Sequence, residues 1–565
     1  MHSKSQVEVV KESSRGLRGT LGPELAETSP SFSKDSTHLL KFHGIYQQED
    51  RDQREESRAT GQKSYEFMVR TKFPGGGRLS PDDWRLLDAI SDRFANGTLR
   101  ITTRQDLQFH GVGKGHLKDL IAALDSIQVS TWGACGDGAR NTVACPLTSL
   151  RCHDYGDYDP FEWAGRIVNH LSFRSRAYYE IWLDGEKLPL DSGAEEEPLY
   201  GKAYLPRKFK IAFAHAHDNC SDVFTQDLGI VPVLQQGHLA GFHLLAGGGM
   251  GKSYGDRETF PRLGEPLALV APTDLLAAIE AVIRIQSDFG DRANRKHARL
   301  KYLLEEWGAE RVRQEMEARL GRAVAPAGPI QVDNDWQHHG WQKQRGGGDL
   351  YFLGLSVPSG RISDTQNALW KSGLRQVIDE FQPTVWLTPR QDLFLAGIAA
   401  RDRESVNLRL KDFGIPLPEE LAPLRLTTLA CPALPTCGVA LAEAERILPS
   451  ILDGLEARGL AGHPLELRIS GCPNGCSRTP VAELAFMGRA PNLYNVYAGG
   501  SPLGNRLAYL LFENVSGERL TDVAAEMIEA HRGLARAGES FGDFSWRIGA
   551  ERLRQLIAPA AAVGE

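Results

Sequence analysis

The feature that most constrains the fold is a repeat. Thr102-Thr-Arg-Gln-Asp-Leu107 returns as Thr388-Pro-Arg-Gln-Asp-Leu393, 286 residues later. The flanking segments correspond as well. Tyr65-Glu-Phe-Met-Val-Arg70 leads into Pro74-Gly-Gly-Gly-Arg78-Leu-Ser80, and Leu350-Tyr-Phe-Leu-Gly-Leu-Ser356 leads into Pro358-Ser-Gly-Arg361-Ile-Ser363. Each pair reads as an alternating apolar strand and a Pro/Gly turn. A helical stretch follows in each copy, about 81–95 and 364–380. A second strand then runs from Leu99 to Gly111 and from Val385 to Gly397. A duplicated β-α-β unit is the simplest account.

A weaker echo follows each unit. Asn141-Thr-Val-Ala-Cys145-Pro matches Thr427-Thr-Leu-Ala-Cys431-Pro. Asp218-Asn-Cys220-Ser221 matches Asn474-Gly-Cys476-Ser477, and Leu245-Ala-Gly-Gly-Gly249 matches Tyr497-Ala-Gly-Gly500. Each half therefore predicts a small β-α-β unit followed by a larger α/β unit. The expected fold class is α/β (α+β), internally duplicated, with pseudo-two-fold symmetry and three domains. One large cofactor can lie between the halves. The length of 565 residues agrees, being too great for a single core.

The second half carries four thiols in two tight pairs. Cys431 and Cys437 form C-x5-C, and Cys472 and Cys476 form C-x3-C inside Gly-Cys-Pro-Asn-Gly-Cys, with 34 residues between the pairs. Four soft thiolates suit zinc or an iron–sulfur cluster. Structural zinc prefers closer knuckles, so the spacing favours a cluster. A turn-forming loop can also aim backbone N–H groups at cluster sulfurs. The first half has Cys145, Cys152 and Cys220 in looser spacing and lacks the C-x3-C. It reads as a copy without a cluster, its cysteines structural.

Cationic side chains gather at predicted strand ends of the first half: Arg70, Arg100, Arg104, Arg140 and the Arg207-Lys208-Phe-Lys210 run. Lys208 and Lys210 fall on one side of a strand, as do Arg104 and Gln108 if that segment is extended. The net charge is −7, which disfavours nucleic acid and leaves an anionic substrate dependent on a local basic pocket. Arg292-Ala-Asn-Arg-Lys-His-Ala-Arg299-Leu-Lys301 lies in a region of helical pattern, about 275–320, and reads as a solvated face or a contact to cofactor carboxylates. No apolar run is long enough to span a membrane. The N-terminus lacks the apolar core of a signal peptide, and a reducing cytoplasm is expected. Residues 1 to about 37 are polar and Ser-rich, as a disordered tail would be. His43 reads as a structural histidine.

C-x5-C followed by G-C-P-N-G-C is similar to the cluster signature of sirohaem-dependent sulfite and nitrite reductases. Glu12 to Thr20, Leu40-Lys-Phe-His-Gly-Ile-Tyr-Gln-Gln48 and Gly538-Glu-Ser-Phe-Gly-Asp-Phe544 resemble the haemoprotein (beta) subunit of the NADPH-dependent branch. The resemblance runs from about residue 10 to 550. The Ala-rich tail beyond departs from it and receives no role. The resemblance implies sirohaem and a 4Fe-4S cluster held by Cys431, Cys437, Cys472 and Cys476, with Cys476 bridging to the sirohaem iron. It places Arg70, Arg140, Lys208 and Lys210 around the substrate anion, and Arg100, Arg104, Gln108, Arg207 and Asn474 against sirohaem.

The implied activity is six-electron reduction of sulfite to sulfide in sulfate assimilation and cysteine biosynthesis. Nitrite reduction to ammonia is the alternative. Electrons would come from a flavoprotein subunit carrying FAD and FMN, or from ferredoxin. No strand here leads into a G-x-G-x-x-G, so the chain is not expected to bind NADPH itself. A non-catalytic iron–sulfur or zinc protein is the reading from a different class. The expected domains are an N-terminal extension, 1–60, partly disordered and partner-docking; a ferredoxin-like half-domain, 61–132; a sirohaem domain without a cluster, 133–337; a second half-domain, 338–412; and a cluster and sirohaem domain, 413–565.

Overall fold

The computed structural model describes residues 4–151, 158–174, 182–183, 186–187, 197–334, 337–346 and 348–561. Cys152 lies outside them.

The two small units share one core. The first sheet runs Ile45–Glu49, Tyr65–Arg70, Leu107–Val112, Leu99–Ile101 and Arg361–Ile362 in spatial order; the second runs Gly340–Lys343, Leu350–Leu355, Leu393–Ala399 and Thr384–Leu387. Their inner faces bury Phe67, Val69, Leu107 and Phe109 against Leu353, Leu355, Val385 and Leu395. The helices Pro81–Phe94 and Trp370–Phe381 cover this core with Trp84, Leu87, Leu374 and Val377. The first helix starts sharply. Ser80 and Asp83 form a reciprocal capping box, and Pro81 occupies the first turn, where its missing N–H costs nothing.

The duplication is also an exchange. Arg361 and Ile362 of the second unit pair with Arg100 and Leu99 of the first, while Leu79 of the first bridges Val385 of the second. The turns that carry these residues press against the opposite copy. A Cβ at Gly76 would overlap the Leu387 carbonyl oxygen, and one at Gly360 would overlap that of Ile101. Both glycines have positive φ, so close approach and backbone geometry each require glycine.

The larger units have identical topology. In the first, Ala139–Val143, Phe209–Phe213 and Leu228–Gln235 run parallel, and His238–Ala246 and Glu265–Val270 follow antiparallel. In the second, Leu429–Ala430, Leu467–Ser470 and Leu484–Ala490 run parallel, with Leu493–Ala498 and Tyr509–Ser516 antiparallel. A helix closes each sheet, Leu275–Phe289 and Leu520–Leu534. Cys145, Cys220, Cys431 and Cys472 thereby follow the carboxyl ends of parallel strands, where α/β sheets bind ligands, whereas Arg140, Lys208 and Lys210 lie at the amino ends of theirs.

The single strands expected over 99–111 and 385–397 are each a hairpin, Leu99–Ile101 with Leu107–Val112 and Thr384–Leu387 with Leu393–Ala399, because the T-x-R-Q-D-L core makes the turn. Arg104 therefore sits in that turn and not on a strand face with Gln108. Three further segments differ from expectation. The N-terminus, expected to be partly disordered, forms the helices Gln6–Ser13, Leu21–Ala26 and Lys34–Leu40. It is anchored by fully buried Leu17 and by Lys11, whose ammonium donates to the Leu205 carbonyl at 2.7 Å and pairs with Glu8 at 2.5 Å. Residues 290–299 break the helical region into Leu275–Phe289 and Leu300–Leu320, and their arginines are neither a solvated face nor free cations. Arg292 bonds Glu8, Arg295 grips Asp137 at 2.6 and 2.9 Å, and Arg299 grips Asp227 at 2.9 and 2.7 Å. The Ala-rich tail forms the helix Ala550–Ala561, which buries Leu553 and Ile557 in the core of the second half.

Candidate active site and cofactor cradle

The cysteine loops cap the second sheet. Cys431 follows Leu429–Ala430, and Cys472 and Cys476 lie between Leu467–Ser470 and Leu484–Ala490. The loop is shaped by close backbone contact: a Cβ at Gly471 would strike the Ala442 carbonyl oxygen at 2.5 Å. The Gly471 N–H donates to Cys431 Sγ at 3.3 Å, and the Asn474 amide donates to Cys472 Sγ at 3.5 Å. Such donors stabilise charge on sulfur. Cys431 and Cys472 are buried and Cys437 is half-buried, whereas Cys476 is exposed on the side facing the first half.

Burial, then the neighbouring Cys476 sulfur, raises the Cys431 and Cys437 thiols and pushes Cys472 up to about 12. Thiols raised in this way become thiolate ligands with a cationic metal among them. The ligand atoms compact enough for one ion, all within 4.8 Å, occur among the described residues elsewhere, at Cys145, Asp218, Cys220 and His338. The donor set at 431–476 fits a wider, four-thiolate cluster.

The first half meets this loop from several directions. The Thr103 hydroxyl donates to the Cys476 carbonyl at 3.4 Å. Lys252 N–H donates to the Pro473 carbonyl at 3.0 Å, and Gly251 packs on Asn474. Lys301 holds the 247–251 loop in place by donating to the Gly249 and Gly251 carbonyls at 3.1 and 2.8 Å. Arg51 binds the Cys437 and Ala440 carbonyls.

Arg70 and Lys210 lie within electrostatic reach of Cys476, with Arg140 and Lys208 close to them. Arg70 ends the strand Tyr65–Arg70, and its charge is felt by Tyr46, Cys135, Asp106 and Cys476. Arg140, on Ala139–Val143, donates to the Ala134 and Gly136 carbonyls at 2.8 and 2.7 Å and borders Tyr46. Burial, then Lys210 and Arg207, drives Lys208 well below the usual lysine range. Burial, then Arg104 and Arg299, brings Lys210 down to about 7, with Cys476 in reach.

The nearby carboxylates are already committed, Asp227 to Arg299 and Asp137 to Arg295. Neither lysine ammonium makes a hydrogen bond or ion pair among the described residues, and the Nε atoms of Arg70, Arg104 and Arg140 are buried without a partner. Buried cations with unused donors make a site that an anion completes. A polycarboxylate cofactor and a small oxyanion both fit it.

The other expected contacts divide. Arg100 is already held by Glu445 and the Ala430 carbonyl, both at 3.0 Å, so it braces the cysteine strand. Arg104 bonds Gln226 at 2.8 Å and the Ile211 carbonyl at 2.9 Å. Gln108 lies beside Arg100 at 3.4 Å. Arg207 is half-buried, 3.8 Å from Asp137, and Asn474 is exposed between Cys472 and Cys476. A separate pocket of about 520 Å³, lined by Lys252, Tyr254, Arg489 and Tyr497, backs onto Pro473 and contains none of Arg70, Arg140, Lys208 and Lys210. Sequence reasoning missed Tyr46 and Asp106. Tyr46 sits in a stretch singled out for its resemblance alone, and Asp106, pushed up to about 7 by burial, sits in the repeat core.

His43 is structural in its surroundings. It packs on Trp132 at 5.3 Å and contacts the Leu17 carbonyl, and burial lowers it to about 4.

The buried lysines make stability depend on pH. Lys210 and Lys301 are brought down to about 7 and Lys72 to about 8, in each case first by burial. The unfolded chain keeps these groups protonated to near pH ~10.4. Between pH ~7 and ~9 these lysines bind more protons in the unfolded chain than in the folded one, so their contribution to stability rises with pH, by about 1.4 kcal/mol per pH unit for each proton. It is opposed in part by the raised thiols of Cys431, Cys437 and Cys472, which the unfolded chain ionises only near pH ~8.5. Cofactor-free protein is expected to melt at higher temperature at pH 8.5 than at pH 7.0. A lower melting temperature at pH 8.5 would contradict the buried-lysine account.

Comparison with known proteins agrees with this architecture. The Nitrite and sulphite reductase 4Fe-4S domain matches residues 162–324, and the Nitrite/Sulfite reductase ferredoxin-like half domain matches 60–127 and 342–413. The first match covers the larger unit of the first half, whereas the four-thiol set lies in the second. The chain is 42% identical over 552 residues to Sulfite reductase (NADPH) hemoprotein beta-component of Myxococcus xanthus, covering 96% of each protein. It is 40% identical over 578 residues to Sulfite reductase (ferredoxin) of Synechococcus elongatus, covering 98% of this chain and 90% of that one. The solved structure of the Mycobacterium tuberculosis NirA protein shares the fold, with TM-score 0.78 at 23% identity over 98% of each chain. By the half-domain pair, the larger unit and the full-length relatives together, the chain belongs to the nitrite and sulphite reductase family.

Proposed function

We propose that the protein is the haemoprotein subunit of an assimilatory sulfite reductase, reducing sulfite to sulfide for cysteine biosynthesis in the cytoplasm. The observation that carries this reading is a group of buried side chains with unused donors, Arg70, Arg140, Lys208 and Lys210, of which Arg70 and Lys210 feel the exposed Cys476 sulfur. Cys431, Cys437, Cys472 and Cys476 would hold a 4Fe-4S cluster, with Cys476 joining it to sirohaem. Arg104, Arg207, Gln108 and Asn474 would meet sirohaem carboxylates, with Arg100 behind them. When bound, the coupled pair supplies the electrons and the iron that takes the substrate.

The protein's own part is electrostatic and protonic. Arg70 and Arg140 present fixed charge to the sulfite oxygens, because guanidinium does not titrate. Lys210, poised at about 7, can hold a proton near neutral pH and release it to a departing oxygen. Lys208, pressed by Lys210 and Arg207, regains its charge when an anion binds beside it. The surrounding protein wall keeps water from screening these charges.

For the electron donor, we infer an NADPH-dependent flavoprotein subunit rather than ferredoxin. The hemoprotein beta-component of Myxococcus xanthus supports this, and Xanthomonas campestris and Geobacillus kaustophilus have relatives of the same name, 43% and 39% identical. The helix Gln6–Ser13 would be part of the docking surface, since Val9 stays 47% exposed on it. Ferredoxin is the donor named for the Synechococcus relative. The test is turnover of purified holoenzyme with a reduced viologen dye, sulfite against nitrite. A higher kcat/KM for sulfite supports the reading, and a higher value for nitrite reassigns the substrate. Adding NADPH with the flavoprotein, or reduced ferredoxin, then decides the donor.

A further inference from the structure

The first half carries a second ligand set that the proposed reaction does not use. Cys145 lies where the chain leaves the strand Ala139–Val143, and Cys220 lies in the loop between Phe209–Phe213 and Leu228–Gln235. Cys431 and Cys476 take the equivalent places in the second half. Asp218 precedes Cys220 by two residues. His338 comes from a different unit, just before the strand Gly340–Lys343. One ligand atom from each of the four lies within 4.8 Å of the others, and Cys145, Asp218 and Cys220 are buried. His338 Nε2 is 3.4 Å from Cys145 Sγ and 3.1 Å from Asp218 Oδ2.

These separations, 3.1 and 3.4 Å within a set spanning at most 4.8 Å, close onto a single small ion with sub-ångström shifts of the side chains. Tetrahedral zinc holds sulfur at about 2.3 Å and nitrogen or oxygen at about 2.0–2.2 Å, which puts its ligand atoms roughly 3.3–3.8 Å apart. We propose that Cys145, Asp218, Cys220 and His338 bind one zinc ion in a closed, structural site.

The surroundings suit that role. Asp218 is oriented for it: the Cys220 N–H donates to Oδ1 at 2.8 Å, which leaves Oδ2 to face His338. Such outer contacts fix the geometry of a metal ligand. Both cysteines sit in an apolar cluster with Leu147, Phe352, Trp386 and Phe394. That wall encloses the site on the cysteine side, with only His338 partly exposed, as suits a structural site with four protein ligands. The four ligands tie two strand ends of the first larger unit to the start of the second small unit. Asn219 reinforces the same junction, its N–H donating to Asn334 Oδ1 at 2.8 Å. Duplication would thus have left a thiol-based metal site in both halves, wide for a cluster in one and narrow for a single ion in the other.

The test is elemental analysis of the purified holoenzyme by mass spectrometry, with X-ray absorption at the zinc edge on the same sample. The expected result is about one zinc per chain, with two sulfur scatterers near 2.3 Å and two lighter atoms near 2.0 Å. The variant Cys145→Ser/Cys220→Ser is expected to lose that zinc while keeping its iron and tetrapyrrole. The proposal is overturned by less than about 0.1 zinc per chain after incubation with zinc salt and desalting. Zinc without sulfur neighbours overturns it, as does zinc retained in the double variant. Should the variant not fold, the absorption spectrum of the unmodified enzyme decides alone.

Discussion

Cys476→Ser is expected to reduce sulfite turnover to below about 1% and to uncouple the two redox centres. Oxyanion-type sites lose about 10²–10³-fold for one missing donor, and here the lost atom is the proposed electron path itself. The other three thiols stand deeper, and Cys476 alone of the four is exposed, within electrostatic reach of Arg70 and Lys210. A serine hydroxyl is a hard, weakly acidic ligand and a poor substitute for thiolate. Low-temperature electron paramagnetic resonance reads the outcome. A variant that keeps both the coupled signal and activity would refute the bridging role.

Lys208→Ala and Lys210→Ala are each expected to lower kcat by about 10²-fold, in line with the loss of one preorganised charge in a water-poor site. Sirohaem content should stay near that of the unmodified enzyme. Both ammonium groups lack an ion-pair partner among the described residues, so removing one leaves no carboxylate stranded. That separates them from Arg299, whose loss would strand buried Asp227 and cost folding stability. Lys210→Arg should retain part of the affinity for sulfite and flatten the pH dependence near 7, because arginine does not titrate there. Loss of sirohaem from both alanine variants would move these lysines from substrate to cofactor binding.

The repeat made the architecture legible. Matching strand, turn and T-x-R-Q-D-L segments implied two like halves, and both pairs of sheets follow. The reciprocal seating of Gly76 on Leu387 and Gly360 on Ile101 was out of reach, because a repeat shows that copies exist and not how they interlock. The thiol spacing singled out the loops at 431–437 and 472–476 directly, since ligand sets leave a sequence pattern. Partnering leaves none. Arg295 and Arg299 read as surface or cofactor charges until their carboxylates, Asp137 and Asp227, are seen beside them. Arg100 reads as a cofactor contact, and its bonds to Glu445 and the Ala430 carbonyl were equally hidden. The N-terminus read as a tail because its few anchors, Val7, Val10 and Leu17, are diluted among serines. Cys145 and Cys220 read as plain structural thiols because His338 is more than a hundred residues away in the chain.

The most direct test of the central claim is the visible absorption spectrum of the purified holoenzyme, with iron and acid-labile sulfide assayed on the same sample. The account predicts a tetrapyrrole Soret band with a red-shifted long-wavelength band, and about five irons per chain, four in the cluster and one in the tetrapyrrole. Protein from a host that makes sirohaem, showing iron and sulfide but no tetrapyrrole band, would contradict it and leave an iron–sulfur protein without the reducing centre.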